Sequence, residues 1–160
     1  MTNARDLITI ETIDEDLRKK LSALLNTMIP PNEDLGVPGA GDDEIVKQVV
    51  RSMRAASLQR MVDGIEAIEK STIADLNRPF SQLAQEEREH WFHMHDLARH
   101  DFVRTMGSLT LQCYYCDPRV LDSLGVEPRP PFPKGFEVET GDLSLLDPVR
   151  NRGKIYRDTG

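Results

Sequence analysis

Half of the chain's ten prolines lie between Val126 and Gly160, and this clustering limits what the end of the chain can form. They are Pro128, Pro130, Pro131, Pro133 and Pro148. Each proline fixes φ and removes a backbone donor, so neither a long helix nor a central strand can run through this segment. The segment also holds large apolar side chains, among them Phe132, Leu145 and Ile155, in a number that a solvated linker lacks. We therefore expect residues 126–160 to form an extended arm that wraps its own body, a partner chain, or both.

The preceding residues, 1–125, show helical periodicity instead. Apolar residues recur at helical spacing from Ile13 to Met28, from Val46 to about Leu76, from Leu83 to Ala98 and from Phe102 to Cys113. Thr12 or Asp14 is placed to cap the first helix, and Asp42 or Asp43 to cap the second. The second stretch is consistent with one long helix or with two consecutive helices separated near Gly64, and we expect a short helical turn before Gly125. The sequence thus predicts an all-α fold, a small bundle of about four helices followed by the arm.

Charge and length exclude several classes of protein. The formal net charge is -7 over 160 residues. The arm is neutral, so the whole excess lies on the body and disfavours nucleic acid and anionic membranes as partners. No stretch approaches a membrane span, and the N-terminus shows no signal peptide, so we expect a cytoplasmic protein without membrane insertion. A chain of this length is too short for separate cofactor and substrate domains.

Motifs that carry catalysis are missing from the sequence. There is no dinucleotide fingerprint, phosphate loop or nucleophile elbow, so we expect no catalytic or cofactor-binding residue on this chain. The glycine-rich stretch around Pro38 reads as a connector between helices or as a functional loop. Cys113 and Cys116 form one C-x-x-C, which without a second pair is a weak zinc signal. We expect both cysteines to be buried and reduced.

One helical stripe has the residue types of a metal site. Glu86, His90 and His93 share a face at helical spacing, and Asp63 or Glu66 on the preceding helix would add ligands. Known carboxylate-bridged bundles take Glu-x-x-His pairs from two different helices, whereas all four histidines here lie on one segment. The alternatives are a small helical metalloprotein and a solvated or partner-facing polar stripe.

A second group of residues predicts an interface with a partner protein. Its members are aromatic, arginine or cap residues that lie near the start of the arm or within it. Aromatic and arginine side chains often anchor protein interfaces, which is why these residues are candidates. They are Tyr114, Tyr115, Asp117, Arg119, Phe132, Pro133, Phe136, Arg150, Arg152 and Tyr156. A purely structural interpretation also stands, in which a tyrosine closes the bundle, Asp117 caps the next turn and the arginines are solvated.

Three stretches carry a resemblance to a known family. They are MIPPNEDLGVPGAGD from Met28, FSQLAQEERE from Phe80 and GSLTLQCYYCDPRVLDSLG from Gly107. In this combination the chain resembles the gluconate 2-dehydrogenase subunit 3 family over most of its length. Members often carry a twin-arginine export signal, which this sequence does not show.

The resemblance implies a noncatalytic small subunit. It would accompany a large FAD-dependent subunit of the glucose-methanol-choline oxidoreductase type, in a hetero-oligomer that oxidises a sugar, a glycoside or a related alcohol. FAD is then expected on the large chain, which this chain would stabilise or help to mature. The rival hypotheses are the metalloprotein and a free-standing helical adaptor.

Overall fold

The computed structural model describes residues 13–129, 135, 139 and 141–152. Seven α-helices account for most of them. These are α1 (Glu15–Met28), α2 (Asp43–Arg51), α3 (Ala55–Leu76), α4 (Gln85–Met94), α5 (Asp101–Tyr114), α6 (Pro118–Ser123) and α7 (Asp147–Arg150). Three short 3-10 turns, at Phe80–Gln82, Leu97–Arg99 and Leu143–Leu146, complete the regular structure. The described residues contain no β-strand, so the all-α prediction is confirmed, while about four helices was an undercount.

The chain divides into two compact units, Met1–Pro128 and Arg129–Gly160. The first unit holds α1 to α6. In the second, at residues 143–150, a 3-10 turn leads into the four-residue helix α7. Asp142 starts this turn by accepting a hydrogen bond from the Ser144 amide, and Pro148 falls in the first turn of α7, where its missing N–H is no loss. The rest of the predicted extended arm lies outside the described residues.

Helix starts in the first unit follow the expected capping chemistry. The Asp14 carboxylate accepts from the Leu17 amide at 2.7 Å and begins α1, and Asp42 accepts from the Glu44 amide at 3.0 Å and begins α2. Each satisfies an amide that has no partner within its helix. Gly125, at φ 70°, ends the turn after α6, as the sequence predicted.

The break between α2 and α3 differs from the prediction. It falls at residues 52–54, where Ser52 closes α2 by donating to the Gln48 carbonyl at 2.8 Å. Gly64, the predicted break, lies inside α3. Its missing side chain makes room for the Phe102 ring of α5, which would lie 2.6 Å from a Cβ at this position. The glycine serves close packing of two helices rather than a change of direction.

The core lies between α1, α2, α3 and α5. Leu21, Leu24 and Leu25 of α1 are fully buried and face Ile45, Val46, Val49 and Val50 of α2 and Met61 and Ile65 of α3. The 3-10 turn at Phe80–Gln82 packs against both α1 and α3.

Met94, which the helical pattern placed on the apolar face of α4, is 68% exposed. The reason is that α4 ends at this residue and the chain turns at Asp96, in the left-handed region at φ 47°.

Candidate functional site

Two stretches that are far apart in the sequence meet at one corner of the bundle, and a guanidinium joins them. Arg119 donates to both carboxylate oxygens of Asp42, at 2.7 and 3.1 Å, and to both of Asp117, at 3.0 and 2.9 Å. We call Asp42, Asp117 and Arg119 the clasp. Bidentate contacts between a guanidinium and a carboxylate are among the strongest hydrogen bonds in proteins and fix the geometry of both partners.

Helix starts place both carboxylates of the clasp. Asp42 is the N-cap of α2, and Asp117 is the N-cap of α6, where it accepts from the Arg119 amide at 2.9 Å. Pro118 occupies the first turn of α6, where a proline is favoured. The clasp therefore ties the beginning of α6 to the beginning of α2.

Electrostatics in the clasp favour the charged forms. Hydrogen bonds from Arg119 hold the pKa of Asp42 and that of Asp117 below the usual range for aspartate. The same contacts, with Asp117 first, raise the pKa of Arg119 further above its ordinary value. Asp117 is 3% exposed, so its charge depends on Arg119 rather than on water. Since both carboxylates are held by the guanidinium and by backbone amides, the clasp is suited to fastening helices rather than to proton transfer.

Tyr114 adds a second tie across the same corner. Its hydroxyl donates to the Pro38 carbonyl at 3.1 Å, and its ring is buried at 5% exposure. Burial raises the pKa of Tyr114, so the phenol stays neutral and keeps its proton for this bond. Tyr115 packs edge-on against it at 5.4 Å between ring centroids and remains 52% exposed. One tyrosine of the pair is thus internal and the other faces outward.

The loop from Ile29 to Asp42 is held against α1 by its own backbone. The Ala40 amide donates to the Ile29 carbonyl at 2.9 Å, the Gly41 amide to Asn26 Oδ1 at 2.8 Å, and the Ser22 hydroxyl to the Gly41 carbonyl at 2.7 Å. A Cβ at Gly41 would lie 2.4 Å from the Ser22 carbonyl oxygen of α1. The glycine-rich stretch is therefore a fitted connector, and its glycines allow close approach to α1.

The predicted interface residues fall into four groups. Tyr114 and Asp117 are engaged inside the bundle, as the structural interpretation expected, whereas Tyr115 and the half-exposed Arg119 reach the surface. Arg150 and Arg152 are exposed in the second unit. The remaining four lie outside the described residues: Phe132, Pro133, Phe136 and Tyr156. The interface itself stays a prediction.

The histidine stripe does not form a metal site. Glu86, His90 and His93 are exposed on α4, and among the described residues no group of three or more His, Cys, Asp or Glu side chains is placed to hold a metal ion. Glu86 and His93 stand two turns apart on one helix, a separation of about 10 Å. The additional ligands are engaged elsewhere, Asp63 with Gln59 at 2.9 Å and Glu66 with Lys70 at 3.7 Å.

Another histidine joins a contact that the sequence analysis missed. Asp75 of α3 accepts from Trp91 Nε1 at 2.9 Å and lies 3.1 Å from His95 Nε2. The Trp91 and His95 rings also pack at 4.4 Å between centroids. These contacts fasten the end of α4 to α3. The spacing of Trp91 and His95 as i and i+4 is the only sequence signal for them.

The two cysteines are free and differ in burial. Cys113 is 7% exposed, with its sulfur 3.7 Å from the Ser52 hydroxyl, as expected for a small buried residue. Cys116 is exposed, so the prediction that both are buried is wrong for this one. The reason is that α5 ends at Tyr114 and Cys116 follows in the turn before α6.

A groove runs along the outer face of α5. It has a volume of about 880 Å³ and lies between the end of α1, α4 and α5. Its α5 side consists of Arg104, Gly107, Ser108 and Leu111, which follow helical spacing, and Leu111 is 47% exposed.

Of the helices that the structure describes, none has the length and apolar character needed to cross a membrane.

The structure is that of a small helical protein in which the clasp joins the start of α2 to the start of α6. Its described residues hold no cluster of side chains placed to bind a metal ion. The chain belongs to the gluconate 2-dehydrogenase subunit 3 family, whose model matches residues 15–126. The match covers α1 to α6 and the clasp, and it confirms the resemblance noted in the sequence. No curated protein and no solved structure matches the chain significantly.

Proposed function

We propose that this chain is a noncatalytic small subunit that stabilises or matures the large subunit of an FAD-dependent dehydrogenase or oxidase of the glucose-methanol-choline type. The family match over residues 15–126 carries the proposal, because it makes the chain a member of a family of dehydrogenase subunits. The large subunit holds FAD and oxidises a sugar, a glycoside or a related alcohol. The two chains form a hetero-oligomer in the cytoplasm.

The mechanism is stabilisation by linked binding. A chain that binds the folded, flavin-loaded large subunit and not its unfolded form favours the folded state by mass action. Hydride transfer from the substrate to FAD takes place on the large subunit, which supplies the flavin and its surroundings. The small subunit contributes a rigid surface, and the clasp keeps α2 and α6 in fixed positions on it.

Gly107 supports a contact with another chain on the outer face of α5. A glycine inside a helix is less stable than alanine by roughly 0.5–1 kcal/mol. Gly107 has no positive φ that would require it, and a Cβ added there would meet nothing within 4 Å. Nothing in the described residues therefore accounts for a glycine at the centre of α5. Close approach of a partner backbone does account for it.

Replacing Gly107 with alanine is expected to have opposite effects on the free chain and on the complex. The free chain gains about 0.4–1 kcal/mol in its free energy of unfolding, because the unfolded state loses freedom and the helix gains a better former. The complex weakens, since the added methyl group lies where the partner approaches. Denaturant titration of the free chain and the dissociation constant for the large subunit measure the two effects.

Gly64→Ala is the matched control for this experiment. It also adds a methyl group inside a helix, but here the methyl meets the Phe102 ring, so the free chain loses stability. If the Gly107→Ala chain binds the large subunit as tightly as wild type does, the outer face of α5 is not part of the interface.

A further inference from the structure

Three arginines without an ion-pair partner surround the corner between α2 and α3. Arg51, Arg54 and Arg60 are exposed, and none makes an ion pair or a side-chain hydrogen bond with a described residue. Five other arginines of the first unit each lie no more than 3.4 Å from a carboxylate. These are Arg18, Arg78, Arg99, Arg104 and Arg119. In a chain of net charge -7, residues 45–62 contain no aspartate or glutamate.

The start of α3 adds positive potential to this corner. The helices α1 and α2 begin with a capping aspartate and carry acidic residues in the first turn. The 22-residue helix α3 has Arg54 at its N-cap position, with no side-chain cap and no acidic residue in its first turn. Its first amides therefore keep their partial positive charge, which favours a nearby anion. This helix start alone would not define a site, but it reinforces the charge of the three arginines.

A groove with an apolar floor opens beside two of these arginines, Arg54 and Arg60. It has a volume of about 690 Å³ and lies between the start of α3 and α5. Its floor is apolar and rich in methionine, a side chain that adapts to the shape of what it contacts. The floor residues are Met53, Met61, Phe102, Met106 and Leu109. Arg54 and Arg60 line one rim. Two acidic residues also line the groove: Asp101, which pairs with Arg104, and Asp63, which accepts a hydrogen bond from the neutral Gln59 amide and keeps its charge.

We propose that this groove is the docking site for an acidic segment of the large dehydrogenase subunit. The segment places an apolar side chain in the groove and its carboxylates beside Arg54 and Arg60 on the rim, with Arg51 at the end of α2 adding positive charge nearby. This inference rests on the proposed function. Charge complementarity identifies the occupant, because free guanidinium groups bind carboxylates in a bidentate manner while the groove buries an apolar anchor. The surrounding acidic surface repels the same segment elsewhere, which fixes where it binds.

The test compares charge reversal at this corner with reversal elsewhere on the chain. The double variant Arg54→Glu, Arg60→Glu is measured for binding to the purified large subunit at low and high salt. We expect the dissociation constant to rise by at least about tenfold, and the salt dependence of binding to fall, because two charge pairs become repulsive. The matched control is Lys70→Glu, Arg99→Glu, which makes the same change in net charge at two exposed positions and is expected to change binding less than about threefold.

Neutral variants guard against loss of folding. Arg54→Gln, Arg60→Gln keeps the side chains polar and exposed, and it is expected to fold like wild type and to bind with intermediate affinity.

Binding of the charge-reversal variant within about twofold of wild type would overturn the inference while leaving the proposed function in place. A homodimer that dissociates in the charge-reversal variant would also overturn it, because the occupant would then be a second copy of this chain. Failure of the wild-type chain to bind any dehydrogenase would instead overturn the proposed function.

Discussion

Replacing Arg119 with alanine is expected to lower the free energy of unfolding by about 1–3 kcal/mol, because hydrogen bonds to charged groups are lost and the buried Asp117 carboxylate loses its counterion. The cost stays below that of breaking a fully buried ion pair, since the Arg119 side chain is 46% exposed and water replaces part of its contacts. Urea titration of the full chain measures the effect. Arg104→Ala is the control, because it removes only an exposed pair within one helix and is expected to change stability by less than about 0.5 kcal/mol.

The pH dependence gives this prediction a second readout. The folded-state pKa values of Asp42 and Asp117 lie below their ordinary values, so the stability they contribute is present above the ordinary pKa of about 4 and is lost as the pH falls through the lowered values. Arg119→Ala returns both pKa values toward the ordinary range. We therefore expect a flatter dependence of stability on pH below about 4 in the variant. Parallel curves for the two proteins would show that the clasp does not contribute.

The largest expected loss of stability comes from Phe80→Ala. Phe80 is 1% exposed, sits in a 3-10 turn that packs against α1 and α3, and meets the Trp91 ring edge-on at 5.9 Å. Truncation of a buried phenylalanine leaves a cavity and costs about 3–5 kcal/mol. Because Trp91 is the chain's one tryptophan, its fluorescence reports the change directly.

Phe80→Leu tests how much of the lost stability comes from the lost side-chain volume. Leucine keeps most of the buried apolar surface, so this variant is expected to lose less stability than the alanine variant, roughly 1–2 kcal/mol. A loss below about 1 kcal/mol for Phe80→Ala would mean that the turn does not close the core between α1 and α3.

Local signals in the sequence predicted much of the helical body. The stripe of α1, its Asp14 cap and the turn at Gly125 rest on contacts within a few residues, which a pattern can reveal. The break at Ser52–Arg54 carries no glycine or proline, so nothing local marks it. Phe80 was missed as a core residue because one 3-10 turn is too short to show an apolar period.

The clasp shows why the site was only partly predictable. Asp42 was one of two predicted caps for α2, and Asp117 was considered as a cap for α6, each from its local sequence. Their joining by Arg119 links residues that are 77 positions apart, and a single sequence has no signal for such a pair. The metal alternative shows the opposite case, because helical spacing alone aligned Glu86, His90 and His93, and the described residues bring no second helix to complete a site.

The most direct test of the account is size-exclusion chromatography of the tagged chain purified from its native host, with absorbance and enzyme assays on each fraction. The account predicts that the chain elutes with a larger protein that shows flavin absorption and dehydrogenase activity, and that the separated small chain has neither. Elution of the chain by itself, with no flavoprotein in any of its fractions, would contradict it.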